Sequence, residues 1–279
     1  MSEPSVSAKS QSLDQKDRLA LLFREAVERG TPGMVLVFEG NGIAGILRSV
    51  QGLSRLLDPR HFVMHHFSDE NARSAAPGRP LLHEYWQRLP QFGELAVFDG
   101  AYYHDCVVRD PGRKERAADI EEIRAFERTL SENGYLVLKL RIERKKAGDL
   151  KKDLKNDGVC KSRRSPLKRR RRDALRDFDY RAKALARLVK KTDTPAAPWF
   201  TPPAGDSKSV RGAVFDYLIA RLEERLGIDS RVAVAEFDER MASLRRLREM
   251  RAQSESVEPT ATSTTGTETN LTSEAGQHE

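Results

Sequence analysis

The stretch Met34-Val-Leu-Val-Phe-Glu-Gly-Asn-Gly-Ile-Ala-Gly-Ile-Leu-Arg48 decides the fold. Residues 34–38 form an apolar run with β-branched members, which is typical of a strand buried on both faces of a parallel sheet. Gly40, Gly42 and Gly45 follow, and such glycines let the backbone turn and direct its N–H groups at an anion. The stretch therefore predicts a strand, a glycine-rich turn and a helix.

The glycine spacing is that of a P-loop from which the lysine is missing. The pattern is G-x-x-x-x-G-K-[ST], and here Ile46 and Leu47 stand where the lysine and the hydroxyl belong. That lysine normally reaches the terminal phosphates, and the hydroxyl holds magnesium. One interpretation of this degenerate Walker A loop is a structural connection between a strand and a helix. The other is a phosphate site formed by four residues: Gly40, Gly42, Gly45 and Arg48.

The composition indicates a globular protein with one large core. The chain has 279 residues, of which 38% are hydrophobic and 33% are charged, and this suffices for one core with appendages. No apolar run approaches the ~20 residues that span a bilayer, and the N-terminus has no apolar signal segment. We therefore expect a cytoplasmic protein that does not enter a membrane. Cys106 and Cys160 are isolated, so neither a disulfide nor a zinc site is predicted.

The positive charge is concentrated in one segment. Between Arg141 and Lys191 there are 21 Lys and Arg against 7 Asp and Glu, a net of +14, whereas the rest of the chain has 28 against 35, a net of −7. The segment contains the unbroken run Arg169–Arg172. Such a block indicates a polyanionic partner, namely nucleic acid, an anionic membrane surface or a long phosphate chain. The alternative is a solvated helix face, although such a face usually mixes both signs.

Strands alternate with helices along the chain, and this predicts a doubly wound α/β fold with a parallel sheet. The predicted strands are 34–38, 61–67, 94–100 and 135–142. The predicted helices are 14–29, 43–57, 81–89, 119–132, 173–191, 207–226 and 231–252. We expect a loop at 69–80 and an extended return to the body at 192–203. The predicted domains are a disordered N-terminus (1–12), a P-loop domain (13–228) with a lid at about 143–191, a C-terminal helix (229–252) and a disordered tail (253–279).

Asp99 is the candidate catalytic residue. It ends an apolar strand, which is where P-loop enzymes place the aspartate associated with magnesium. The alternative role is a helix cap or turn former. Glu39 either binds the loop backbone or caps a turn, and the sequence leaves both roles open. His65 and His66 are adjacent on a strand and point to opposite faces, so no metal site is predicted there.

Several motifs occur in one order and together resemble the family-2 polyphosphate kinases. Members carry F-E-G-x-D-x-A-G-K-G-G, L-P-x-x-G, D-R-S-W-Y, W-K-x-S-P-x-D, T-x-x-x-x-A-P-W and a D-x-K-x-x-R-like segment. The corresponding residues here are 38–48, 89–93, 99–103, 162–168, Thr192 with 197–199, and Asp206 with Lys208 and Arg211. The stretches 57–60 and 85–90 look closest to the first domain of the two-domain polyphosphate:AMP phosphotransferases. In that family, the first domain is thought not to carry the catalysis.

The resemblance implies a three-layer P-loop kinase-like fold, polyphosphate or a nucleotide as partner, and magnesium at Asp99 as the cofactor. It also assigns polyanion contacts to the lid residues Lys161, Arg163, Arg164, Arg169, Arg170, Arg171 and Arg172. At four positions this chain lacks the charged side chain that the family carries, and each replacement removes or inverts a charge. A family aspartate is Gly42, the lysine is Ile46, an arginine is Gly100 and the lid aspartate is Lys168.

These losses predict a degenerate homologue that binds polyphosphate or nucleotide with little turnover, because phosphoryl transfer needs positive charge over the equatorial oxygens. Such a protein could assemble with an active relative or with a second copy of itself. The alternative is a working phosphotransferase in which Arg48 or Arg164 replaces the lysine. A nucleic-acid binder is a third class, disfavoured because no recognisable reading module is present.

Overall fold

The computed structural model of the protein describes residues 8–67, 80–108, 117–156 and 175–257. Its strands are β1 (Met34–Glu39), β2 (Phe62–His66), β3 (Leu95–Asp99), β4 (Leu136–Arg141) and β5 (Trp199–Phe200). Its helices are α1 (Ala8–Glu28), α2 (Ile43–Ser54), α3 (His83–Trp86), α4 (Tyr102–Val108), α5 (Ala117–Glu132), α6 (Ala147–Asn156), α7 (Phe178–Thr192), α8 (Ser207–Leu226) and α9 (Ser230–Val257).

The five strands form one parallel sheet in the order β2-β3-β1-β4-β5. Phe38 of β1 is in register with Asp99 of β3 on one side and with Leu140 of β4 on the other. All six residues of β1 are buried. The prediction of a parallel sheet with the first strand in its centre is confirmed.

Helices cover both faces of the sheet, since successive residues of β1 point to opposite sides. Leu36 and Phe38 join one core cluster, to which α1, α2 and α8 contribute. Val35 and Val37 join a second cluster with residues of α4, α5 and α7. This gives the three layers that the resemblance implied.

Local sequence sets the ends of α8, the helix predicted most accurately. Its first turn is capped by Asp206, whose carboxylate accepts a hydrogen bond of 2.8 Å from the Ser209 N–H. It ends at Gly227, which adopts the left-handed conformation (φ 65°) that favours glycine at a helix C-terminus. The observed bounds are those predicted.

Other elements differ from the prediction. The helix expected at 81–89 is only the four-residue α3. Pro90 disfavours the helical conformation in Leu89, the residue before it, which explains why the helix does not reach the predicted end but not why it stops at Trp86. α4 and β5 were not predicted: a seven-residue helix is too short for a periodic signal, and two residues of strand carry no alternation.

Two stretches predicted to be disordered are partly helical. α1 begins at Ala8, inside the predicted disordered N-terminus, and α9 continues to Val257, inside the predicted tail. No proline or glycine interrupts 8–14 or 252–257, so nothing in the sequence stops either helix. The predicted loop at 69–79 and the lid motif at 162–168 lie outside the described residues.

A buried ion pair ties the sheet to the layer of α4, α5 and α7. Lys139 of β4 is fully buried and donates to Glu127 Oε2 (2.8 Å), the Tyr103 hydroxyl (3.1 Å) and the Thr192 carbonyl (2.7 Å). These three bonds satisfy all its donors. Glu127 also accepts hydrogen bonds from the Tyr102 and Tyr103 hydroxyls, of 2.9 and 2.6 Å.

Burial pushes both members of this pair toward neutrality. It raises the pKa of Glu127 and lowers the pKa of Lys139, while their mutual attraction opposes both shifts. The pair is therefore stable only as a unit, because either charge left alone would be buried without a counter-charge.

Replacing Lys139 by Met should destabilise the fold by about 3–5 kcal/mol, since Glu127 would remain as an uncompensated buried charge. The double variant Glu127→Gln/Lys139→Met should recover much of that loss, because the neutral amide can still accept from both tyrosines. Urea denaturation followed by circular dichroism measures both. A double variant no more stable than Lys139→Met would contradict the conclusion that Glu127 and Lys139 are stable only as a pair.

The chain divides into two compact units, residues 1–234 and 235–279. The described part of the second unit, residues 235–257, is a single stretch of helix belonging to α9. Within the described ranges, no helix has both the length and the apolar character that a membrane crossing requires.

Candidate functional site

The glycine-rich loop is locked against the chain just after β4. The Gly42 N–H donates to the Ile142 carbonyl (2.9 Å), and the Ile142 N–H donates to the Glu39 carbonyl (2.8 Å). Gly40 has φ +115°, and a side chain there would collide with the Ile142 carbonyl oxygen. The positive φ and the close backbone approach both explain why this position is glycine.

Asn41 fastens the loop from a second direction. Its side chain is buried, and its Oδ1 accepts a hydrogen bond of 2.7 Å from the Arg144 N–H. The Arg144 guanidinium in turn donates to the Gly205 carbonyl ahead of α8. The loop is therefore held by protein contacts on both the β4 and the α8 side.

Ile46, at the position of the missing lysine, belongs to the hydrophobic core. Its side chain is 0% exposed and lies in the cluster of α1, α2 and α8. Gly45 lies against α8, since a Cβ at this position would be 2.9 Å from Cγ1 of Val210, a residue of α8, and 3.0 Å from Ile142 Cγ2. The first turn of α2 thus packs tightly against α8, and apolar packing accounts for both residues.

The four predicted phosphate-binding residues are not equivalent in the structure. Gly40 borders a cleft, whereas the Gly42 N–H is already donated to Ile142 and would have to release it to bind an anion. Arg48 is half-buried on α2 and lies close enough to Arg211 of α8 to affect its pKa. Burial and the charge of Arg48 together lower the pKa of Arg211.

The cleft opens at the carboxyl end of β1, between β3 and β4. In an open parallel sheet this is where the chain order reverses and where ligands bind. The cleft is bordered by the end of β1 and by residues of α2, α4 and α7 and of the segment after β4. Its polar side chains are those of Glu39, Asn41, His104, Glu143 and Arg181.

The acids of the cleft have specific partners. Glu39 Oε1 accepts a hydrogen bond of 3.2 Å from the backbone N–H of His104, in the first turn of α4. This bond is made with the first turn of a helix and not with the glycine-rich loop, so it corresponds to the capping role of the two that the sequence left open. Glu143 pairs with Arg141 at 2.7 Å. Arg181, whose Nη2 lies 3.8 Å from Asp177 Oδ2, brings positive charge from α7 to the lining of the cleft.

Asp99 lies at the end of β3, as predicted, but it is buried and bonded within the protein. Its Oδ2 is 3.0 Å from His66 Nδ1 on the neighbouring strand β2, and the residue is 1% exposed. By strand alternation Asp99 points to the α1, α2 and α8 side of the sheet, and Glu39 to the other side. The described lining of the cleft accordingly includes Glu39 but not Asp99.

In this arrangement the Asp99 carboxylate would have to leave His66 before it could bind magnesium. Mg²⁺ keeps several waters and binds through one or two carboxylates, whereas the Asp99 carboxylate is enclosed and lies against His66. Among the described residues there is also no group of three His, Cys, Asp or Glu side chains that could hold a metal ion. Magnesium at Asp99 remains a prediction.

Gly100, where the family has an arginine, adopts φ +73°, a conformation that side chains rarely take. Its N–H lies 3.3 Å from the Phe38 carbonyl. The loss of the arginine therefore accompanies a backbone conformation suited to glycine. Lys168 and the seven predicted lid contacts lie outside the described residues.

Three residues around the site were missed in the sequence: His66, Glu143 and Arg181. His66 can be identified only once the strand order is known, since β2 and β3 are parallel and their last residues are in register. Arg181 could not be singled out, because it is one of many basic residues in its segment.

The sequence model of the family described as "Polyphosphate kinase 2" matches residues 4–228 of the chain. The chain belongs to the polyphosphate kinase 2 family. This confirms the family resemblance. The family match ends just before α9, which begins at Ser230.

Curated polyphosphate kinase 2 relatives are distant in sequence. The polyphosphate:AMP phosphotransferase of Pseudomonas syringae pv. tomato is 26% identical over 71% of this chain and 40% of its own length. The GDP-polyphosphate phosphotransferase of Mycobacterium tuberculosis is 26% identical over 68% of this chain and 65% of its own length. The chain thus spans less than half of the polyphosphate:AMP phosphotransferase that it matches.

A solved polyphosphate kinase 2 structure shares the fold. The enzyme from Arthrobacter aurescens TC1 superposes with a TM-score of 0.64 at 21% identity, covering 83% of this chain and 86% of that one. The likeness confirms the P-loop kinase-like architecture of the family.

Restoring the family lysine should damage this protein. Ile46→Lys should lower the free energy of unfolding by about 3 kcal/mol or more, because an unpaired charge would enter a fully buried position. The control Gln51→Lys, on the exposed side of the same helix, should stay within about 0.5 kcal/mol. Thermal and urea denaturation compare the two. A stable Ile46→Lys protein that gains phosphotransferase activity would show that the site lacks only its lysine.

Proposed function

We propose that this protein is a degenerate polyphosphate kinase 2 that binds polyphosphate or a nucleotide with little or no phosphoryl transfer. The observation that carries the proposal is the burial of Ile46 in the apolar core. A lysine at that position normally reaches the terminal phosphates. Here Ile46 occupies that position and packs against α8, so the positive charge of the lysine is absent and the packed core leaves no room for a lysine side chain.

Binding without transfer is supported by the charge that the chain retains. The segment 141–191 has a net charge of +14, and the described helices α6 and α7 belong to it. Arg181 of α7 already lines the cleft. We propose that a phosphate chain binds in this cleft and also contacts the run of basic residues at 161–172, because anion binding needs clustered positive charge but no correctly placed catalytic group.

One observation favours the alternative, a working phosphotransferase with a rearranged site. Arg48 stands at the last glycine of the family pattern, and it lies near Arg211. Two neighbouring guanidinium groups could together supply the charge of the missing lysine. In this alternative the reacting phosphate would lie on the α2 and α8 side rather than in the cleft.

An assay of purified protein separates the two functions. Protein, magnesium and polyphosphate are incubated with AMP, ADP or GDP, product is followed over time, and polyphosphate binding is titrated in parallel. A polyphosphate kinase 2 of known activity serves as the positive control. Binding without product is the expected result. Product formation that disappears in Arg48→Ala and Arg211→Ala would establish the alternative.

Removing the arginine run should weaken binding without affecting stability. Replacing Arg169, Arg170, Arg171 and Arg172 by Ala should weaken polyphosphate affinity and flatten its dependence on salt. For duplex DNA the slope is about 0.9 per neutralised phosphate, which serves as the analogy. Titration at several salt concentrations measures both.

A matched control removes the same charge from the edge of the sheet opposite the cleft. Arg24, Arg55, Arg60 and Arg128 are exposed and lie close to the amino ends of the strands. Their replacement by Ala should change the salt slope much less than the loss of the run at 169–172. Equal effects from both sets would mean that only net charge attracts polyphosphate.

A further inference from the structure

Helix α9 lies beyond the residues that match the polyphosphate kinase 2 family, so its role is separate from the proposed function. It has 28 residues and, at 1.5 Å per residue, is about 42 Å long. From Ala235 onward it forms the described part of the second unit by itself. A single helix has no core of its own, and helices in proteins owe most of their stability to packing of an apolar face.

Apolar side chains are exposed along this helix. Met241, Leu244, Leu247 and Met250 follow one another at spacings of three residues and are between 36% and 66% exposed. Side chains three apart are neighbours on a helix surface, and each step of three residues turns by about 60° around the helix axis. Met241, Leu244 and Leu247 therefore share one stripe about 120° wide, whereas Met250 lies on the side of the helix opposite Met241. A contiguous exposed apolar stripe marks an interaction surface.

The charges of α9 are divided between its two halves. Residues 235–243 contain three acidic residues and one arginine, a net of −2, whereas residues 244–252 contain four arginines and one glutamate, a net of +3. Asp238 and Arg245 are seven residues apart and therefore lie on the same edge of the stripe. A helix with this division is complementary to itself in the antiparallel orientation.

We propose that α9 is a dimerisation helix that pairs in antiparallel orientation with α9 of a second copy of this chain. The stripe of Met241, Leu244 and Leu247 would be buried between the helices. The acidic half of each helix would lie against the basic half of the other, with Asp238 opposite Arg245. A parallel pair would instead place like charges opposite each other, which is unfavourable.

The test measures the mass of the full-length chain in solution by sedimentation and by size exclusion with light scattering. The wild type should be a dimer at micromolar concentration, and its association should weaken as salt is raised. Leu244→Glu/Leu247→Glu should raise the dimer dissociation constant at least about 100-fold, because each dimer loses four buried leucines. The control Phe92→Glu, an exposed aromatic outside α9, should leave the mass unchanged.

A charge swap tests the orientation. Asp238→Arg should weaken the dimer, and adding Arg245→Asp in the same chain should restore it, since the two positions face each other only in the antiparallel pair. A wild type that stays monomeric, or a dimer unaffected by Leu244→Glu/Leu247→Glu, overturns the proposal. A monomer that binds anionic vesicles through the same leucines would assign the stripe to a membrane surface instead and would also overturn it.

Discussion

The backbone contact between the glycine-rich loop and Ile142 is the constraint on which the site depends. The Gly42 N–H is donated to the Ile142 carbonyl, and Gly40 can pass the same carbonyl only because it has no side chain. Ile142 follows β4, so this contact fixes the end of β1 against its neighbouring strand. The loop therefore keeps the shape of a phosphate-binding turn while its backbone bonds are made within the protein.

This constraint explains why the family loop can lose its lysine without losing its fold. With the loop closed on Ile142, the first turn of α2 is free to pack on α8, and Ile46 adds apolar burial there. On the opposite face, Lys139 and Glu127 tie β4 to α5 and to the end of α7. The frame around the cleft is thus stabilised by packing and buried polar contacts within the protein.

The sequence predicted the strand, the loop and the following helix because β-branched residues, glycine spacing and apolar periodicity all agree there. It predicted α8 to the residue, and Asp206 and Gly227 are the caps that set the two ends of this helix. It could not show that Ile46 is buried, since that depends on which helix lies over α2, nor that His66 meets Asp99, since that depends on strand order. Both facts are tertiary, and both decide what the site can do.

The most direct measurement of the central claim is amide hydrogen exchange at Gly42 in the free protein, resolved by NMR. If the loop is closed by its own backbone, the Gly42 amide should be protected without any ligand, and adding polyphosphate or ATP should leave its protection unchanged. An amide that exchanges rapidly in the free protein and becomes protected only when phosphate is added would contradict the account, since the loop would then be a working phosphate cradle.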